Sequence, residues 1–477
     1  MNPAEFSNEP QNLNEPTTTS SFSSLSLHDV LLNNLTSLGY AAMTPVQAQS
    51  LPLMLNGSDV IAQAKTGSGK TVAFGLSLLN RINVALFAVQ ALVLCPTREL
   101  AEQVSQSLRQ LARLVPNIKV LNLSGGMPMG PQSDSLAHGA HIIVGTPGRV
   151  QKHLDKKSLS LARLQSLVLD EADRMLDMGF FDAIKQILAV CPTRRQTLLF
   201  SATYSADIKQ LAGAFMVDPK HVVVEDTDTT LDIEQHFYEV TAQANKFYLL
   251  KTLLLHYQPA STLIFCNTKE KTTQLAALLV KEGFSATALN GDMEQVARDE
   301  AMIRFANNSC SILVATDVAA RGLDIKDLPL VVSYELSFEH DVHIHRIGRT
   351  GRAGSKGLAL SLTTTADAAR LVAIENGLMQ ALIWKDIAAL TKTNSSVFLP
   401  AMMTLCLGSG RKDKIRPSDI LGALTKDAGL LGSTIGKINI TPLYSYVAIQ
   451  KDCVDKAYQF LQRGTLKGRK VFVKKLG

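Results

Sequence analysis

The sequence predicts an α/β protein with two tandem parallel-sheet domains followed by a small α+β domain. From about Ser21 to Glu225, short apolar runs alternate with amphipathic stretches, and buried strands that are separated by helices form parallel sheets. The alternation restarts after the acidic segment 224–232. From Ala401 to Gly477, fourteen Lys and Arg stand against five Asp and Glu, a net of +9, which leaves −3 for the preceding residues. A polyanion is therefore the first candidate ligand of the basic third domain, and a solvated charged face is the plainer alternative.

Composition also places the domain boundaries. The first twenty residues are rich in Ser, Thr, Asn, Glu and Pro and lack an apolar segment, so we expect a disordered leader and not a signal peptide. The boundaries that we predict are 21–225 for the first domain, 231–385 for the second, 386–398 for a linker and 399–477 for the third.

Six apolar runs in the first domain and four in the second are candidate strands. Each ends in small or polar residues, and ligands of parallel sheets bind at the carboxyl ends of the strands. These runs are DVIAQA, ALVLCP, KVLNLSG, HIIVGTP, SLVLDEAD and QTLLFSAT, and then STLIFCNT, SATALNGD, SILVATDVA and LVVSYEL. The search for a site therefore begins at their polar ends.

The composition argues against a membrane protein and against a metal-stabilised one. No apolar run reaches the roughly eighteen residues that a membrane span needs. The six cysteines (positions 95, 191, 266, 310, 406 and 453) show neither a CxxC pair nor a metal-ligand spacing. We therefore predict reduced thiols, no structural metal and a cytoplasmic location.

The segment AKTGSGKT (64–71) lies between the apolar run DVIAQ and the apolar stretch VAFGLSLL. A Gly-rich loop between a strand and a helix presents backbone N–H groups to phosphate oxygens. We predict that Lys70 reaches the outer phosphates of a nucleotide and that the Thr71 hydroxyl coordinates Mg²⁺. Ala64 stands where the general motif has Gly, and a Gly-rich turn with a chance lysine is the alternative. The predicted phosphate-binding residues are Ala64, Lys65, Thr66, Gly67, Ser68, Gly69, Lys70 and Thr71.

The run LVLDEAD (167–173) ends a buried strand in acidic residues. Burying these charges without a partner costs much free energy, so a cation is expected nearby. Asp170 fits a magnesium ligand that acts through water, and Glu171 fits the base that orients the attacking water. An acidic helix N-terminus stabilised by the helix dipole is the alternative. Together with the Gly-rich loop, this run indicates a nucleotide hydrolase.

These motifs and their surroundings resemble the DEAD-box RNA helicases from about Phe22 to Gly354. The resemblance implies two RecA-like domains, ATP and Mg²⁺ as cofactors, and RNA as the partner. GYAAMTPVQ (39–47) resembles the family's adenine-reading segment, which implies that Gln47 contacts the base and that Phe22 stacks on it. PTRELA, SGG and TPGR resemble the segments that hold the RNA backbone, and SAT resembles the one that links hydrolysis to strand separation. The implied RNA-binding residues are Pro96, Thr97, Arg98, Gly125, Gly126, Thr146, Pro147, Gly148 and Arg149, and the coupling residues are Ser201, Ala202 and Thr203.

The second domain continues the resemblance. NGDMEQVAR carries Gln295 and Arg298 at the family spacing, and HRIGRTGRAG implies arginine fingers at Arg349 and Arg352 with His345 and Arg346 in a supporting network. The remaining residues that the resemblance implies are Asn267, Thr316 and Arg321 for RNA, and Gly322 and Asp324 for the nucleotide. Since the base belongs to the first domain and the fingers to the second, neither domain is expected to hydrolyse ATP alone.

Two other functions stay open. A DNA helicase would share most of these motifs, although the DEAD string and the adenine-reading segment argue against it. An ATP-gated RNA clamp would hold RNA without unwinding it, although Glu171, the SAT segment and the two finger arginines argue for fast hydrolysis.

The stretch GSGRKDKIRP (408–417) is a basic loop in the third domain. The runs around it have the order strand, helix, two strands, helix, strand, which is typical of a ferredoxin-like RNA-recognition domain. Aromatic residues for base stacking are few, with only Tyr444 and Tyr446 on a strand. The sequence therefore favours a positively charged, anion-binding edge, and a purely electrostatic tether is the alternative. The residues predicted for this edge are Arg411, Lys412, Lys414 and Arg416.

The run GRKDKIRPSDILGALTKDAGLLGSTIGKINI (410–440) resembles the C-terminal domain of one group of bacterial DEAD-box helicases. In that group the domain recognises a hairpin in the peptidyl-transferase region of large-subunit ribosomal RNA. A related domain occurs in cold-shock DEAD-box helicases, so a general helicase with a non-specific basic tether stays open. The resemblance implies a ribosome-assembly helicase whose partners are this hairpin and the pre-ribosomal large subunit.

Overall fold

The computed structural model describes most of the chain. The described residues are 21–64, 67–224, 233–240, 246–320, 325, 327–351, 356–378, 381–390 and 396–476. The predicted leader lies outside them, as do Lys65, Thr66, Arg321, Gly322, Asp324 and Arg352. The chain divides into two compact units between residues 226 and 227.

The first unit is built on a seven-stranded parallel sheet. Six strands coincide with the predicted apolar runs. The seventh, Lys220–Val223, lies at the sheet edge and buries only Val222, so it lacks the apolar run of a central strand. The elements are α1 Asp29–Ser37, α2 Pro45–Leu55, β1 Val60–Gln63, α3 Lys70–Arg81, β2 Ala91–Leu94, α4 Arg98–Leu111, β3 Val120–Leu123, α5 Met129–Ala137, β4 Ile142–Gly145, α6 Pro147–Asp155, β5 Ser166–Leu169, α7 Ala172–Asp177, α8 Phe181–Ala189, β6 Gln196–Ser201, α9 Ala206–Phe215 and β7 Lys220–Val223.

The second unit begins with a six-stranded parallel sheet in the order β10-β11-β9-β12-β13-β8. Its first and last strands in the chain, β8 and β13, are not among the predicted runs. The edge strand β8 (IEQHFYEV) has polar residues between its apolar ones, which hides it from a search for continuous apolar runs. The elements are β8 Ile233–Val240, α10 Lys246–Tyr257, β9 Thr262–Cys266, α11 Lys269–Lys281, β10 Ala286–Leu289, α12 Gln295–Ala306, β11 Ile312–Thr316, α13 Asp317–Ala320, β12 Leu330–Ser333, α14 His340–Ile347, β13 Gly357–Thr364 and α15 Ala368–Leu378.

Part of the segment predicted as a linker packs on this second sheet domain. The side chains of Ile387, Leu390 and Val397 contact its apolar core. Gln258 also donates from Nε2 to the carbonyl oxygen of Ser396 at 2.8 Å. Described residues on both sides of positions 391–395 therefore contact the second domain.

The third sheet is four-stranded and antiparallel, in the order β15-β16-β14-β17. This order and the helix after each of β14 and β16 confirm the ferredoxin-like α+β fold. The apolar core lies between the sheet and the two helices. The elements are β14 Met402–Leu407, α16 Pro417–Gly422 with a π-helical turn at Ala423–Asp427, β15 Ile435–Ile440, β16 Ser445–Gln450, α17 Lys451–Arg463 and β17 Val473–Leu476.

Within the described parts of the chain, no helix is both long enough and apolar enough to cross a membrane. All six cysteines are free thiols, and five of them are buried.

Candidate nucleotide and nucleic-acid sites

The order of the first sheet sorts the predicted motifs into two groups. The strands run β3-β4-β2-β5-β6-β1-β7, and all are parallel, so their carboxyl ends share one edge. The segments implied for RNA follow β2, β3 and β4 on one side of this edge. The segments predicted for the nucleotide follow β5 and β1 on the other side, and the SAT segment at the end of β6 lies between those two strands. One edge thus carries two adjacent sites.

The lysine at the end of the loop after β1 is buried. Lys70 begins α3, is only 6% exposed, and donates from Nζ to the carbonyl oxygen of Ala64 at 2.8 Å. Gly69 has φ +95°, and a Cβ at that position would lie 2.5 Å from Nε2 of Gln47. Only glycine fits that backbone and that space. The result is a buried positive charge at a helix N-terminus, which favours an anion there.

The adenine-reading segment holds this loop from the other side. Gln47 is buried, donates from Nε2 to the carbonyl oxygen of Gly69 at 3.1 Å, and accepts from the Thr44 amide at 2.9 Å. The Thr44 hydroxyl donates to the carbonyl oxygen of Ser68 at 2.8 Å. Both side chains of the capping box of α2 therefore also position the phosphate loop.

The aromatic residue implied for adenine stacking is part of the core. Phe22 is 4% exposed and meets Tyr40 edge to face, with ring centroids 6.4 Å apart. Tyr40 itself is exposed. An aromatic pair therefore stands beside the adenine-reading segment that ends at Gln47.

The two acidic residues after β5 are buried and differently partnered. Burial raises the pKa of Asp170 to about 7, while the positive charges of Lys70 and Arg174 oppose that rise. Glu171 forms an ion pair at 2.7 Å with Arg174, and both side chains are almost fully buried. The backbone of Glu171 lies in the left-handed region at φ +54°, an uncommon conformation for a non-glycine residue that often marks a functional site. Two buried carboxylates therefore follow each other after β5, and the guanidinium of Arg174 holds the second one.

The last acid of this run reaches the SAT segment. Oδ2 of Asp173 accepts from the backbone amides of Ala202 and Thr203 at 3.0 and 3.1 Å, and from the Thr203 hydroxyl at 3.4 Å. Its other oxygen accepts from the Arg174 amide at 2.9 Å. One buried carboxylate thus connects the end of β5 to the end of β6.

Two arginines come together in the group of segments implied for RNA. The Arg98 side chain packs against Gly125, where a Cβ would lie 2.8 Å from Nε. Arg149 donates to the Met127 carbonyl at 2.8 Å and to Oε1 of Gln132 at 2.7 Å. Burial, and then the charge of Arg98, lower the pKa of the Arg149 guanidinium. The two guanidinium groups therefore repel each other at this surface.

The N-termini of α4 and α6 also belong to the group of segments implied for RNA. Thr97 caps α4 by accepting from the Leu100 amide at 3.2 Å, and Thr146 precedes α6, which begins at Pro147. Both helices start at the carboxyl edge of the sheet, where their free N–H groups attract phosphate. The neighbouring loop residues that were implied for RNA are Pro96, Gly126 and Gly148.

In the second unit, Arg346 organises the polar residues at the carboxyl ends of the strands. It is 1% exposed, forms an ion pair with Asp317 at 2.7 Å, and donates to Oδ1 of Asn267 at 2.8 Å. His345 and Arg349 lie with Arg346 around a small cavity. Arg349 is 7% exposed. The structure thus assembles the described members of the predicted finger network.

Thr316 plays a local role in the same region. Its hydroxyl accepts from the Ala319 amide at 3.3 Å and so supports α13, just before the residues 321–324 that lie outside the description. The predicted contacts of Arg321, Gly322, Asp324 and Arg352 also concern residues outside the description.

The basic loop of the third domain is exposed. Arg411, Lys412, Lys414 and Arg416 all lie on the surface. Arg411 donates to the carbonyl oxygen of Ile440 at 3.1 Å, and Lys414 adopts φ +61°. The loop therefore has a defined backbone and a charged outer face.

Three positioning residues were missed by the sequence analysis. Arg174 could have been found, since it lies in the first turn of α7, three residues after the Glu171 that precedes this helix, and charges at that spacing can meet. Asp173 lay inside a quoted motif but was given no role. Gln132, which joins Arg149 to the carbonyl oxygen of Ser124, lies in a polar stretch without any motif signal.

Three family models match the chain. Residues 44–211 match the DEAD/DEAH box helicase model, residues 245–354 match the helicase conserved C-terminal domain, and residues 404–475 match the DbpA RNA binding domain. The three matched ranges lie on the three sheets in order.

Two curated relatives match this chain over almost their whole length. The chain is 52% identical over 440 residues to the ATP-dependent RNA helicase DbpA of Escherichia coli K12, covering 92% of this chain and 95% of that protein. It is 37% identical over 468 residues to DbpA of Bacillus subtilis 168, covering 94% and 97%. Among solved structures, S. cerevisiae Dbp5 bound to RNA and ADP BeF3 matches with a TM-score of 0.70 at 30% identity, covering 77% of this chain and 96% of that one.

Proposed function

The chain belongs to the DEAD-box ATP-dependent RNA helicases, and from that premise we propose that it remodels large-subunit ribosomal RNA during ribosome assembly. A hairpin of that RNA, bound by the third domain, would hold the two sheet domains beside their substrate in the cytoplasm. The observation that carries this proposal is the DbpA-type RNA-binding domain at 404–475 with its exposed basic loop. The likeness to the DbpA proteins, which extends over more than nine-tenths of the chain, supports it.

ATP hydrolysis needs an oriented water and positive charge around the phosphates. We assign the base to Glu171, whose carboxylate is fixed by the buried ion pair with Arg174 at 2.7 Å. Lys70, buried at the start of α3, supplies positive charge for the outer phosphates. Such preorganised charge in a site of low dielectric is usually the largest contribution to catalysis.

The residues present fit a magnesium ion. Asp170 is a buried carboxylate whose pKa is raised by burial, so a nearby cation would favour its ionised form. The Thr71 hydroxyl follows Lys70 on α3 as the second oxygen donor. Thr71 and, through water, Asp170 would hold the ion, which when bound neutralises charge on the nucleotide phosphates.

In our proposal for hydrolysis, the second domain supplies further positive charge to the nucleotide phosphates. Arg349 is held in the network of Arg346, and Arg352 follows it in the same motif. Closure of the two sheet domains on ATP and RNA would bring these arginines to the phosphates, so RNA binding would switch hydrolysis on.

Hydrolysis and strand separation are linked, in this proposal, through Asp173. Its carboxylate accepts from Ala202 and Thr203 at 3.0–3.4 Å, while the adjacent Arg174 holds the base. A change around Glu171 would therefore move the SAT segment, which lies between the two nucleotide loops that follow β5 and β1.

The RNA surface of the first domain has the character of a backbone reader. Arg98, Arg149 and the N-termini of α4 and α6 offer charge and N–H groups to phosphates. Phosphate contacts position a polymer without reading its sequence. Specificity for ribosomal RNA must then come from elsewhere, which is the role that we assign to the third domain.

The test is an ATPase assay of the full-length protein with three polymers. These are a large-subunit ribosomal RNA fragment that contains the hairpin, the same fragment with the hairpin stem disrupted, and DNA of matched length. We expect the intact fragment to stimulate hydrolysis at the lowest concentration and DNA to stimulate little. Equal half-saturating concentrations for the two RNAs would refute hairpin specificity and leave a general helicase with a basic tether.

A further inference from the structure

The outer face of the third sheet is covered. Leu405 and Leu407 of β14 face the helices, so the alternate residues Thr404 and Cys406 face the other way. These two residues are nevertheless only 0% and 3% exposed. The cover is α12 of the second domain, because Ile303 packs in one apolar cluster with Cys406, Tyr446 and Leu476.

Polar contacts seal the same interface. The hydroxyl groups of Thr404 and Ser309 are 2.6 Å apart, and Asn307 donates from Nδ2 to the Thr404 hydroxyl at 3.4 Å. At the edge of the sheet, Lys437 donates to the carbonyl oxygen of Ala306 at 3.1 Å. The interface therefore has an apolar centre and polar contacts beside it.

This arrangement removes the usual stacking platform of an RNA-recognition sheet. Such sheets stack bases on aromatic residues of their outer face. Tyr446, the central aromatic residue of that face, is 1% exposed and lies against the second domain. The stacking role that the sequence offered for Tyr446 is therefore not available in this arrangement, and RNA must be read elsewhere on the domain.

Two loops at one end of the sheet form a continuous basic surface. The first is 408–416, and the second is 465–472, just before β17. Lys467 of the second loop donates to the carbonyl oxygen of Lys414 at 2.8 Å and forms an ion pair with Asp419 at the same distance. Arg469 pairs with Asp413 at 3.6 Å. The first loop carries four Lys and Arg and the second carries three, so positive charge remains in large excess over these two aspartates.

The second loop also presents an exposed aromatic ring beside the first. Phe472 is 69% exposed. The Gly408 amide donates to the carbonyl oxygen of Phe472 at 2.8 Å, and a Cβ on Gly408 would lie 3.3 Å from the Phe472 Cβ. The ring is therefore held at the base of the basic loop. An exposed aromatic ring among cations is the arrangement that binds unpaired bases and their phosphates.

We propose that the third domain binds RNA at this pair of loops, with Phe472 stacking on an unpaired base and the cations of both loops holding the flanking phosphates. The proposal rests on the proposed function only in taking RNA as the ligand. It assigns the binding surface to residues 408–416 and 465–472, and it assigns the sheet face to the contact with α12.

The experiment measures RNA affinity of the full-length protein without nucleotide, by fluorescence anisotropy. One labelled RNA contains the ribosomal hairpin, and the other is the same fragment with the stem disrupted. Phe472→Ala is expected to weaken binding of the hairpin RNA by about 5- to 150-fold, the range for loss of one stacked base. Tyr446→Leu, which removes the ring of the sheet face but keeps an apolar side chain, is expected to leave the affinity unchanged.

The charges are tested with a matched pair of variants. Lys412 and Lys470 are both exposed, one on each loop, and replacing both by Gln is expected to lower the slope of log affinity against log salt by about 1.4. Lys426 is equally exposed but lies ten residues after Arg416 along the α16 helix and its π-helical turn, about 15 Å from Arg416 along the helix axis. Lys426→Gln is expected to leave both the affinity and the slope unchanged.

The outcomes separate this proposal from the hairpin proposal. If the wild-type protein binds both RNAs equally, hairpin specificity fails, but the loop surface still stands if Phe472→Ala weakens both. If Phe472→Ala binds like the wild type while Tyr446→Leu, with unchanged thermal unfolding, loses affinity, the sheet face is the platform and our assignment is wrong. If Lys426→Gln and the double variant have equal effects, RNA binding depends on the overall positive charge of the domain and not on the two loops. That result would also overturn the proposal.

Discussion

The first and third domains use charge in opposite ways. In the first domain the functional charges are buried and held by partners, as Lys70 is by the Ala64 carbonyl and Glu171 is by Arg174. In the third domain, the cations Lys412 and Arg416 are exposed and make no ion pair within the described residues. Buried, fixed charge stabilises a transition state, whereas exposed charge attracts a polyanion and is screened by salt. Changes in the first domain should therefore alter the kcat of ATP hydrolysis, and changes in the third should alter the RNA concentration that gives half-maximal stimulation.

The largest effect is expected from the catalytic residues of the first domain. Glu171→Gln keeps the shape of the site but removes the base, and it should lower RNA-stimulated ATP turnover by about 10⁴-fold. Lys70→Ala should also abolish turnover, since it removes the buried charge at the phosphate loop. The measurement is phosphate release at saturating RNA. Substantial turnover by Glu171→Gln would show that another group acts as the base.

A smaller loss of rate is expected from the finger. Arg349→Ala should lower the RNA-stimulated kcat by about 10³-fold and leave nucleotide affinity of the RNA-free enzyme almost unchanged. RNA binding by the third domain should stay at the wild-type level, which serves as the control. Loss of ATP binding in the absence of RNA would contradict the assignment of Arg349 as a finger.

Asp173→Asn should separate the two activities of the first domain. Asparagine has only one side-chain oxygen, so it can accept either from Ala202 and Thr203 or from the Arg174 amide. The other set of contacts is lost. Strand separation per ATP hydrolysed should fall by about tenfold, in line with the loss of one charge-assisted hydrogen bond. The measurement compares duplex unwinding with phosphate release in one sample. A proportional fall of both activities would mean that Asp173 supports the fold or the catalysis and not the coupling.

The smallest effect concerns the contact between the second and third domains. Thr404→Val removes the hydroxyl that meets Ser309 at 2.6 Å and should destabilise this contact by about 1 kcal/mol. Hydrogen–deuterium exchange of β14 and of the end of α12 should rise accordingly. Thr425→Val is the control, because the Thr425 hydroxyl donates to the Leu421 carbonyl at 2.8 Å, within α16 and its π-helical turn. Unchanged exchange in Thr404→Val would argue that the third domain is not docked through its sheet face.

The sequence allowed a correct prediction of the fold wherever the chain has strong local signals. Continuous apolar runs located most of the central strands, whereas the edge strands β7 and β8 lack such a run. The interior strand β13 (GLALSLTT) was missed although it is buried, because Ser and Thr interrupt its apolar residues. The motif residues fell at the carboxyl edge of the sheets as predicted, because parallel connections bring all those ends together.

Contacts between residues far apart in the chain could not be predicted. The bond between Gln132 and Arg149 and the docking of Ile303 on Tyr446 depend on tertiary packing, and neither leaves a periodic pattern. The same holds for Phe472: one aromatic residue near a basic loop becomes informative only when the structure places Gly408 beside it.

The central claim is that the first two domains set the rate while the third sets the RNA concentration at which it is reached. The direct test is RNA-stimulated ATPase of full-length protein in which Lys412, Arg416 and Lys470 are replaced by Gln. Substitution is preferable to deletion of the domain, since deletion would expose Ile303 on α12. The account predicts that the half-saturating concentration of hairpin RNA rises towards that of hairpin-free RNA while kcat stays at the wild-type value. A fall in kcat with an unchanged half-saturating concentration would contradict it.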